Sequence, residues 1–255
     1  MVSKKIYNSK DDKKFEEIIK RLREMRLPVM AELLLSMKDN GELLSKNIVD
    51  ILDEITENEV VSRKNNTISK LKKKAKFSQP MASLNEIKYT ADRKLNKELI
   101  SKLSTNKYIG ERKNIIVLGA CGTGKSYLVN ALGNHACDSL FSVRYIRMYD
   151  LLADFADERL VERSTRDTMR KYIQPSVLII DDFLIIPLDE KECFDLFTLL
   201  DYRISSVGSV IICSQLEITE WHKQLGGNIL ADGVLDRLSS KAYKIIISGD
   251  SLRKE

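Results

Sequence analysis

The sequence contains little of what secreted, zinc-binding or membrane proteins depend on. Its 255 residues include only 4 cysteines and 2 histidines, and no Cys-x-x-Cys pair occurs, so neither a disulfide framework nor a zinc site is indicated. No apolar run reaches the about 18 residues of a membrane span, and the amino-terminal residues lack the apolar stretch of a signal peptide. With 43% hydrophobic residues, 31% charged residues and 4 prolines, the composition excludes collagen-like and disordered chains. We therefore expect a folded cytoplasmic protein that neither enters a membrane nor is secreted.

The charge is unevenly distributed along the chain. Residues 1–113 contain 26 Lys/Arg and 17 Asp/Glu, and residues 114–255 contain 16 and 20, which is an excess of +9 followed by −4. No acidic residue lies between Glu59 and Glu86, and the cations of this span are Arg63, Lys64, Lys70, Lys72, Lys73, Lys74 and Lys76. Such a span favours binding to the phosphates of duplex DNA, and the near absence of aromatic residues from it argues against stacking on single strands. A solvated helix face is the alternative.

The spacing of apolar residues predicts a helical first part and an α/β second part. From residue 11 to about residue 53 the spacing is helical and is interrupted at Pro28, and a further helix is predicted over residues 91–103. Five short runs rich in aliphatic residues follow, at residues 115–118, 143–146, 177–180, 210–213 and 243–247. Near-continuous aliphatic runs joined by crossover-length segments are typical of a parallel sheet buried on both faces. We predict a five-stranded parallel sheet flanked by helices, with a helical N-terminal domain over residues 1–60, a basic helix and linker over 61–90, and the α/β domain over 91–255.

The first aliphatic run leads into a phosphate-loop motif, G-x-x-x-x-G-K-[ST]. The motif comprises Gly119, Ala120, Cys121, Gly122, Thr123, Gly124, Lys125 and Ser126, and Tyr127 follows at the start of a predicted helix. A strand before the motif and a helix after it are the context this motif requires. The glycines allow backbone N–H groups to converge on phosphate, while Lys125 reaches the β and γ phosphates and the Ser126 hydroxyl holds Mg²⁺. The motif therefore predicts a site for ATP and Mg²⁺.

Two adjacent acids, Asp181 and Asp182, follow the third aliphatic run. Taken alone, two acids after a strand more often form a turn or cap a helix. In a chain with a phosphate loop, they predict a metal-binding and water-activating pair at the carboxyl edge of the sheet. We assign Asp181 to the metal, through water, and Asp182 to the attacking water.

These two motifs, together with three later ones, resemble the initiator-type branch of AAA+ ATPases. The segments that carry the resemblance are Leu118–Lys125, Leu178–Phe183, Ser214-Gln215 with Trp221, Leu235–Leu238 and Gly249–Arg253. They are similar to the IstB-like ATP-binding helper proteins of insertion-sequence transposition, which are related to DnaC helicase loaders. The resemblance covers the chain from about Phe77, and residues 1–60 are similar to the helical N-terminal domain of the same family. It implies an AAA+ P-loop fold.

The resemblance also implies roles for three later residues. Ser214 corresponds to sensor 1, a polar group near the γ-phosphate; by its position alone it is an ordinary strand-end serine. Arg237 corresponds to the arginine finger that contacts ATP bound by the neighbouring subunit, and its alternative is an ion pair on a helix surface. Arg253 corresponds to sensor 2, and its alternative is a frayed tail. Many AAA+ proteins have Glu in place of Asp182, and because Asp is one methylene shorter, we expect slow turnover.

A second basic segment lies between the second and third aliphatic runs. In the initiator-type branch an extra helical element that faces nucleic acid occupies this place, and Arg163, Arg166 and Arg170 recur here at helical steps. Interleaved acids leave a salt-bridged surface helix open as the alternative.

The resemblance implies a function for the whole chain. It predicts an ATPase that binds duplex DNA with little sequence preference, forms a homo-oligomer on target DNA with ATP at the subunit interfaces, and assists the transposase of the same insertion sequence. Two alternatives remain open at this point: a helicase loader that binds single-stranded DNA, and a non-hydrolysing scaffold that bends DNA.

Overall fold

A computed structural model describes residues 9–160, 165–206 and 208–252 of the chain. The chain divides into two compact units, one up to Thr67 and one from Ile68. The first unit contains helices α1 (Ser9–Glu24) and α2 (Pro28–Asp39), a 3₁₀ turn and most of α3 (Ile48–Ala75). Proline is tolerated at the first position of α2 because the N–H it lacks has no partner within the helix. The helices predicted on either side of Pro28 are therefore present.

The N-terminus of α2 is capped by a carboxylate from α3. Glu59 Oε2 accepts hydrogen bonds from the backbone N–H groups of Val29 at 3.0 Å and Met30 at 3.2 Å, and Glu59 Oε1 accepts from Arg63 Nε at 2.8 Å. Glu59 is only 4% exposed. Burial alone would raise the pKa of Glu59, but the Arg63 guanidinium and the two N–H donors hold it below its usual value. The ionised side chain therefore joins the two helices.

The second unit is an α/β sandwich. Its helices are α4 (Lys97–Leu103), α5 (Lys107–Gly110), α6 (Lys125–Asp138), α7 (Met148–Leu160), α8 (Thr165–Ile173), α9 (Glu190–Ser206), α10 (Ile218–Gln224) and α11 (Ile229–Ser239). Its strands are β1 (Asn114–Gly119), β2 (Val143–Arg147), β3 (Val177–Asp181), β4 (Ser209–Ser214) and β5 (Ala242–Ile247). All pairings are parallel and the order is β2-β3-β4-β1-β5. The predicted five-stranded parallel sheet with flanking helices is confirmed.

One predicted helix is wrong in its extent. Residues 91–103 do not form a single helix: Ala91–Arg93 form one 3₁₀ turn, and α4 begins only at Lys97. Lys94 adopts φ +50°, a left-handed conformation that interrupts a helix, and the Asn96 side chain caps α4 by accepting from the Leu99 N–H.

Alternation along the strands builds two apolar layers. On β1, Ile115 and Val117 pack with α6 on one face, whereas Ile116 and Leu118 pack on the face that contains α9 and α11. All four are 3% exposed or less. Burial on both faces explains why the central strands β1, β3 and β4 are nearly continuous apolar runs.

The helices of the described residues include none that is long and apolar enough to cross a membrane.

Candidate functional site

The strand order brings three chain segments with chemically active residues to one edge of the sheet. β1 lies between β4 and β5, and β3 lies beside β4. Because the strands are parallel, the loops that follow them emerge at the same carboxyl edge. The phosphate loop follows β1, the two acids lie at the end of β3, and Ser214 ends β4 and is followed by Gln215.

The phosphate loop is packed so closely that two of its glycines admit no side chain. A Cβ on Gly119, at φ +153°, would lie 2.2 Å from the Ile247 carbonyl oxygen of β5. A Cβ on Gly122, at φ +81°, would lie 2.1 Å from Ser251 Oγ. The Leu252 N–H donates to the Gly122 carbonyl at 3.0 Å. The segment after β5 therefore lies against the loop, and Arg253, which follows it, is outside the described residues.

Hydrogen bonds within the loop hold its shape. The Ala120 carbonyl accepts from Thr123 Oγ1 at 2.9 Å and from Lys125 Nζ at 2.8 Å. Arg93 donates to the Thr123 carbonyl at 2.9 Å from outside the loop. Lys125 is 7% exposed and is the first residue of α6, so an ammonium group lies beside the positive end of a fourteen-residue helix. This arrangement favours a polyanion.

A cavity of about 230 Å³ opens at this point. From the phosphate loop and the start of α6 it is lined by Cys121, Gly122, Gly124, Lys125, Ser126 and Tyr127. Gln79, Asp182, Gln215 and Leu252 complete the lining. Gly119, Ala120 and Thr123 belong to the loop but do not line the cavity, since Gly119 ends β1 and Thr123 is 1% exposed. Tyr127 is held in place because its hydroxyl donates to Glu86 Oε2 at 2.6 Å.

The two acids after β3 have different environments. Asp181 is 2% exposed; its carboxylate accepts from the Tyr145 hydroxyl at 2.8 Å and from the Asp182 N–H at 2.9 Å. Burial, followed by the nearby Asp181 charge, raises the pKa of Tyr145, so its hydroxyl remains a donor. Asp182 is exposed, has φ +54° and lines the cavity. The buried acid is therefore fixed in position, and the exposed acid faces the space beside Lys125.

The available donors suit a magnesium ion. Ser126 contributes a hydroxyl at the cavity, and Asp181 and Asp182 contribute carboxylates at the neighbouring strand end. Magnesium prefers hard oxygen ligands and completes its shell with phosphate oxygens and water. These residues therefore fit the ion.

Ser214, predicted as sensor 1, does not line the cavity. It is fully buried, and its hydroxyl donates to the Phe183 carbonyl at 2.8 Å and accepts from the Leu216 N–H at 3.1 Å. The next residue, Gln215, is exposed and lines the cavity together with Asp182 and Lys125. Sequence reasoning missed Gln215. The signal that could have identified it is the end of the apolar run: β4 is buried to its last residue, and Gln215 is the first exposed polar side chain beyond it.

Arg237 lies at the opposite edge of the sheet. The Arg237 carbonyl accepts from the Asn114 side chain at the start of β1. The Arg237 guanidinium donates to Asp201 Oδ1 from Nη2 at 2.6 Å and from Nε at 3.1 Å. It also lies 4.1 Å from the ring centroid of Phe197. The ion pair left open by the sequence is therefore present, and it is made with Asp201 of α9.

The predicted DNA-binding residues fall into several environments. Arg63 is paired with Glu59, and Lys72 is paired with Asp138 at 2.7 Å. The exposed lysines along the second half of α3 and just beyond it are Lys64, Lys70, Lys73, Lys74 and Lys76. Arg170 is exposed on α8. Arg163 and the side chain of Arg166 lie outside the described residues.

Comparison with known proteins identifies relatives over nearly the whole chain. A family model described as "IstB-like ATP binding protein" matches residues 20–255. A putative insertion sequence ATP-binding protein of Sinorhizobium fredii, y4pL, is 33% identical over 234 residues, which are 92% of this chain and 94% of that protein.

Solved structures share the fold of the α/β unit. AMPPCP-bound DnaA from Aquifex aeolicus has a TM-score of 0.56 at 20% identity, covering 67% of this chain and 51% of that chain. A DnaC helicase loader has a TM-score of 0.54 at 16% identity, covering 66% of this chain and 97% of that chain. The predicted AAA+ P-loop fold is confirmed.

Proposed function

The chain belongs to the family of IstB-like ATP-binding proteins of insertion sequences, and we propose that it is an ATPase that assembles on duplex DNA and assists the transposase of the same insertion sequence. One observation carries the proposal of hydrolysis. Lys125, Asp182 and Gln215, which come from three separate segments, line a single cavity beside the phosphate loop. A site that only binds nucleotide has no need of an exposed carboxylate beside the γ-phosphate position.

The residues of this cavity have distinct roles in the proposed reaction. Backbone N–H groups of the loop and the N-terminus of α6 bind the phosphates, and Lys125 exchanges its bond to the Ala120 carbonyl for bonds to β and γ oxygens. Ser126 and Asp181 would hold Mg²⁺, which when bound neutralises charge on the β and γ phosphates. Asp182 orients a water molecule and receives its proton as that water attacks the γ-phosphorus and the bond to the leaving ADP oxygen breaks. Gln215, in place of Ser214, is the polar group beside the γ-phosphate.

Arg237 acts on ATP bound by a neighbouring subunit. Its carbonyl is bonded to Asn114 at the amino end of β1, and the phosphate loop begins at the carboxyl end of the same strand. Six residues of strand separate the two ends by ~16 Å, further than one side chain reaches. This separation supports a role in trans: the finger of one subunit completes the site of another, and hydrolysis depends on assembly.

Duplex DNA is the proposed surface for assembly. The support is the excess of cations in residues 1–113, together with the insertion-sequence setting of the relatives. Binding through phosphates carries no base information, so little sequence preference is expected. Moving transposable DNA requires a transposase, and the proposed role of this protein is to present target DNA to that enzyme.

Phosphate release, measured with and without duplex DNA, tests the proposal. We expect duplex to stimulate release more than a single strand of the same sequence does. Asp182→Asn should retain ATP binding and DNA assembly and lose release, whereas Lys125→Ala should lose all three. Arg237→Ala should bind ATP as the wild type does and lose the stimulation by DNA.

Three outcomes would contradict parts of this mechanism. Stronger stimulation by single strands would indicate a helicase loader. Nucleotide-dependent assembly without phosphate release would indicate a scaffold that does not hydrolyse ATP. Wild-type release by Arg237→Ala in the presence of duplex would exclude the shared site.

A further inference from the structure

The two basic segments of the sequence meet at one cavity. This cavity, of about 540 Å³, lies at the amino edge of the sheet, where β2 and β3 begin. Its lining includes Lys74 from the last turn of α3, Lys76 just beyond that helix, Lys171 from α8, and Arg144 from β2. Residues almost 100 positions apart in the chain thus contribute positive charge to one place.

The charge of this cavity is only weakly compensated. Of the side chains that the structure describes, Asp154 is the one carboxylate in the lining, and it accepts a hydrogen bond from the Tyr172 hydroxyl. Among the carboxylates whose side chains the structure describes, none is paired with Lys74, Lys76 or Lys171, whereas Lys72 of α3 is paired with Asp138. Arg144 Nε is buried and has no hydrogen-bond partner among the described residues. The described lining thus contains four cations and one carboxylate that already accepts a hydrogen bond, which favours a positive local potential.

The backbone that carries the cations of this cavity is held in place by buried neighbours. Ala75 is fully buried and Phe77 is 8% exposed, so the residues on either side of Ala75 are anchored while Lys74 and Lys76 remain exposed. The guanidinium of Arg144 lies 5.6 Å from the ring centroid of Tyr172. Because the backbone positions of these cations are fixed, no rearrangement of the chain is needed for them to meet an anion.

A buried arginine fixes the far wall of the cavity. Arg203 of α9 is 1% exposed and donates to the carbonyls of Tyr172 at 2.6 Å, Ile173 at 3.0 Å and Pro175 at 3.0 Å. Its Nη2 also donates to the Ser209 carbonyl at 2.8 Å. Gln174 and Pro175, which line the cavity, are thereby held against the start of β4. The end of α8, and Lys171 with it, cannot move independently of the sheet.

We propose that this cavity, formed by Lys74, Lys76, Arg144 and Lys171, binds the phosphate backbone of duplex DNA. The proposal rests on the proposed function and assigns its DNA contact to a particular part of the α/β unit. Four residue steps along β3 separate the cavity from the carboxyl edge by ~13 Å, so DNA and ATP occupy different edges of the sheet and can be bound together. Arg144, which lies in neither basic segment, becomes a DNA-binding residue.

Salt-dependent DNA binding by the full chain, with a non-hydrolysable ATP analogue, provides the test. Each phosphate contact contributes about 0.9 to the slope of log K against log salt concentration, or about eight-fold in affinity at ~0.1 M salt relative to 1 M. Lys74→Gln/Lys171→Gln should therefore reduce the slope by about 2 and weaken binding by roughly sixty-fold at ~0.1 M salt. Lys191→Gln/Lys244→Gln is the matched control, because both lysines are exposed, lie outside the cavity and change the net charge equally. ATP affinity should be unchanged in both double variants.

A second measurement needs no variant. In the wild-type protein, duplex DNA should protect Lys74 and Lys171 from acetylation and leave Lys191 and Lys244 reactive. If the double variant matches its control while the wild type binds duplex, the cavity assignment is wrong and the proposed function stands. If the wild type does not bind duplex in any nucleotide state, the proposed function itself fails. If inorganic pyrophosphate at matched ionic strength protects the two lysines and duplex does not, the cavity takes a small phosphate and the DNA assignment is overturned.

Discussion

Glu59→Gln should loosen helix α2 at neutral pH, with a measurable pH signature. Glu59 accepts hydrogen bonds from the Val29 and Met30 N–H groups and from the Arg63 side chain, and it is 4% exposed. Glutamine has the same shape and retains one acceptor oxygen, but it is neutral and its amide N–H₂ cannot accept from Arg63. Hydrogen bonds to a charged group are worth ~1.5–3 kcal/mol. We expect a loss of about 2 kcal/mol, equivalent to roughly thirty-fold in a local opening equilibrium.

Hydrogen exchange in the intact protein measures this opening directly. Backbone amides of the α2 segment should exchange roughly thirty-fold faster in Glu59→Gln than in the wild type at pH 7. Glu57→Gln is the matched control, since Glu57 lies on the same helix and is exposed. We expect this control to differ from the wild type by less than ~0.5 kcal/mol.

The pH dependence follows from the lowered pKa of Glu59. A carboxyl group whose folded pKa lies below its unfolded value, ~4.3, contributes stability that is present above that value and is lost as the pH falls through the folded pKa. The difference between wild type and Glu59→Gln should therefore be constant above about pH 5 and shrink below about pH 4. Equal protection of α2 in both proteins at pH 7 would refute the capping role, and a difference that persists undiminished at pH 2 would refute its electrostatic origin.

Three further perturbations have definite expected outcomes. Gly119→Ala should lower the free energy of unfolding in urea by ~3 kcal/mol or more and abolish ATP binding, because its Cβ would lie 2.2 Å from a backbone carbonyl oxygen. The control Gly41→Ala, at φ +73° with nothing within 4 Å, should lower it by only ~1 kcal/mol. Equal losses in the two variants would exclude the steric argument. Arg203→Met should destabilise the protein by ~3–5 kcal/mol in the same assay, since four carbonyls lose their donor, and a change below ~0.5 kcal/mol would contradict it. Asp201→Ala should raise DNA-stimulated phosphate release up to ~5-fold, because it removes a partly exposed ion-pair partner that competes with the neighbouring subunit's ATP for Arg237. If release falls instead to the level of Arg237→Ala, Asp201 positions the Arg237 side chain and does not compete for it.

The sequence by itself determined the parts of this protein that depend on short-range spacing. The three central strands, β1, β3 and β4, were predictable because burial on both faces demands nearly continuous apolar runs. The phosphate loop was predictable because its glycines, lysine and serine act within eight consecutive residues. The paired acids could be placed at the same edge for a related reason, since a parallel sheet gathers the ends of its strands. The helix predicted over residues 91–103 was wrong because apolar spacing does not reveal a left-handed residue such as Lys94.

Only the tertiary structure decided which side chains meet across long stretches of chain. It turned Ser214 inward and Gln215 toward the cavity, because the exact end of β4 depends on the hydrogen bonds to Phe183 and Leu216. In the folded chain Asp201 is the ion-pair partner of Arg237, and Lys74 and Lys171 line the same cavity. Such contacts depend on how helices pack on a sheet. The spacing of residues along the chain does not predict how distant segments pack against each other.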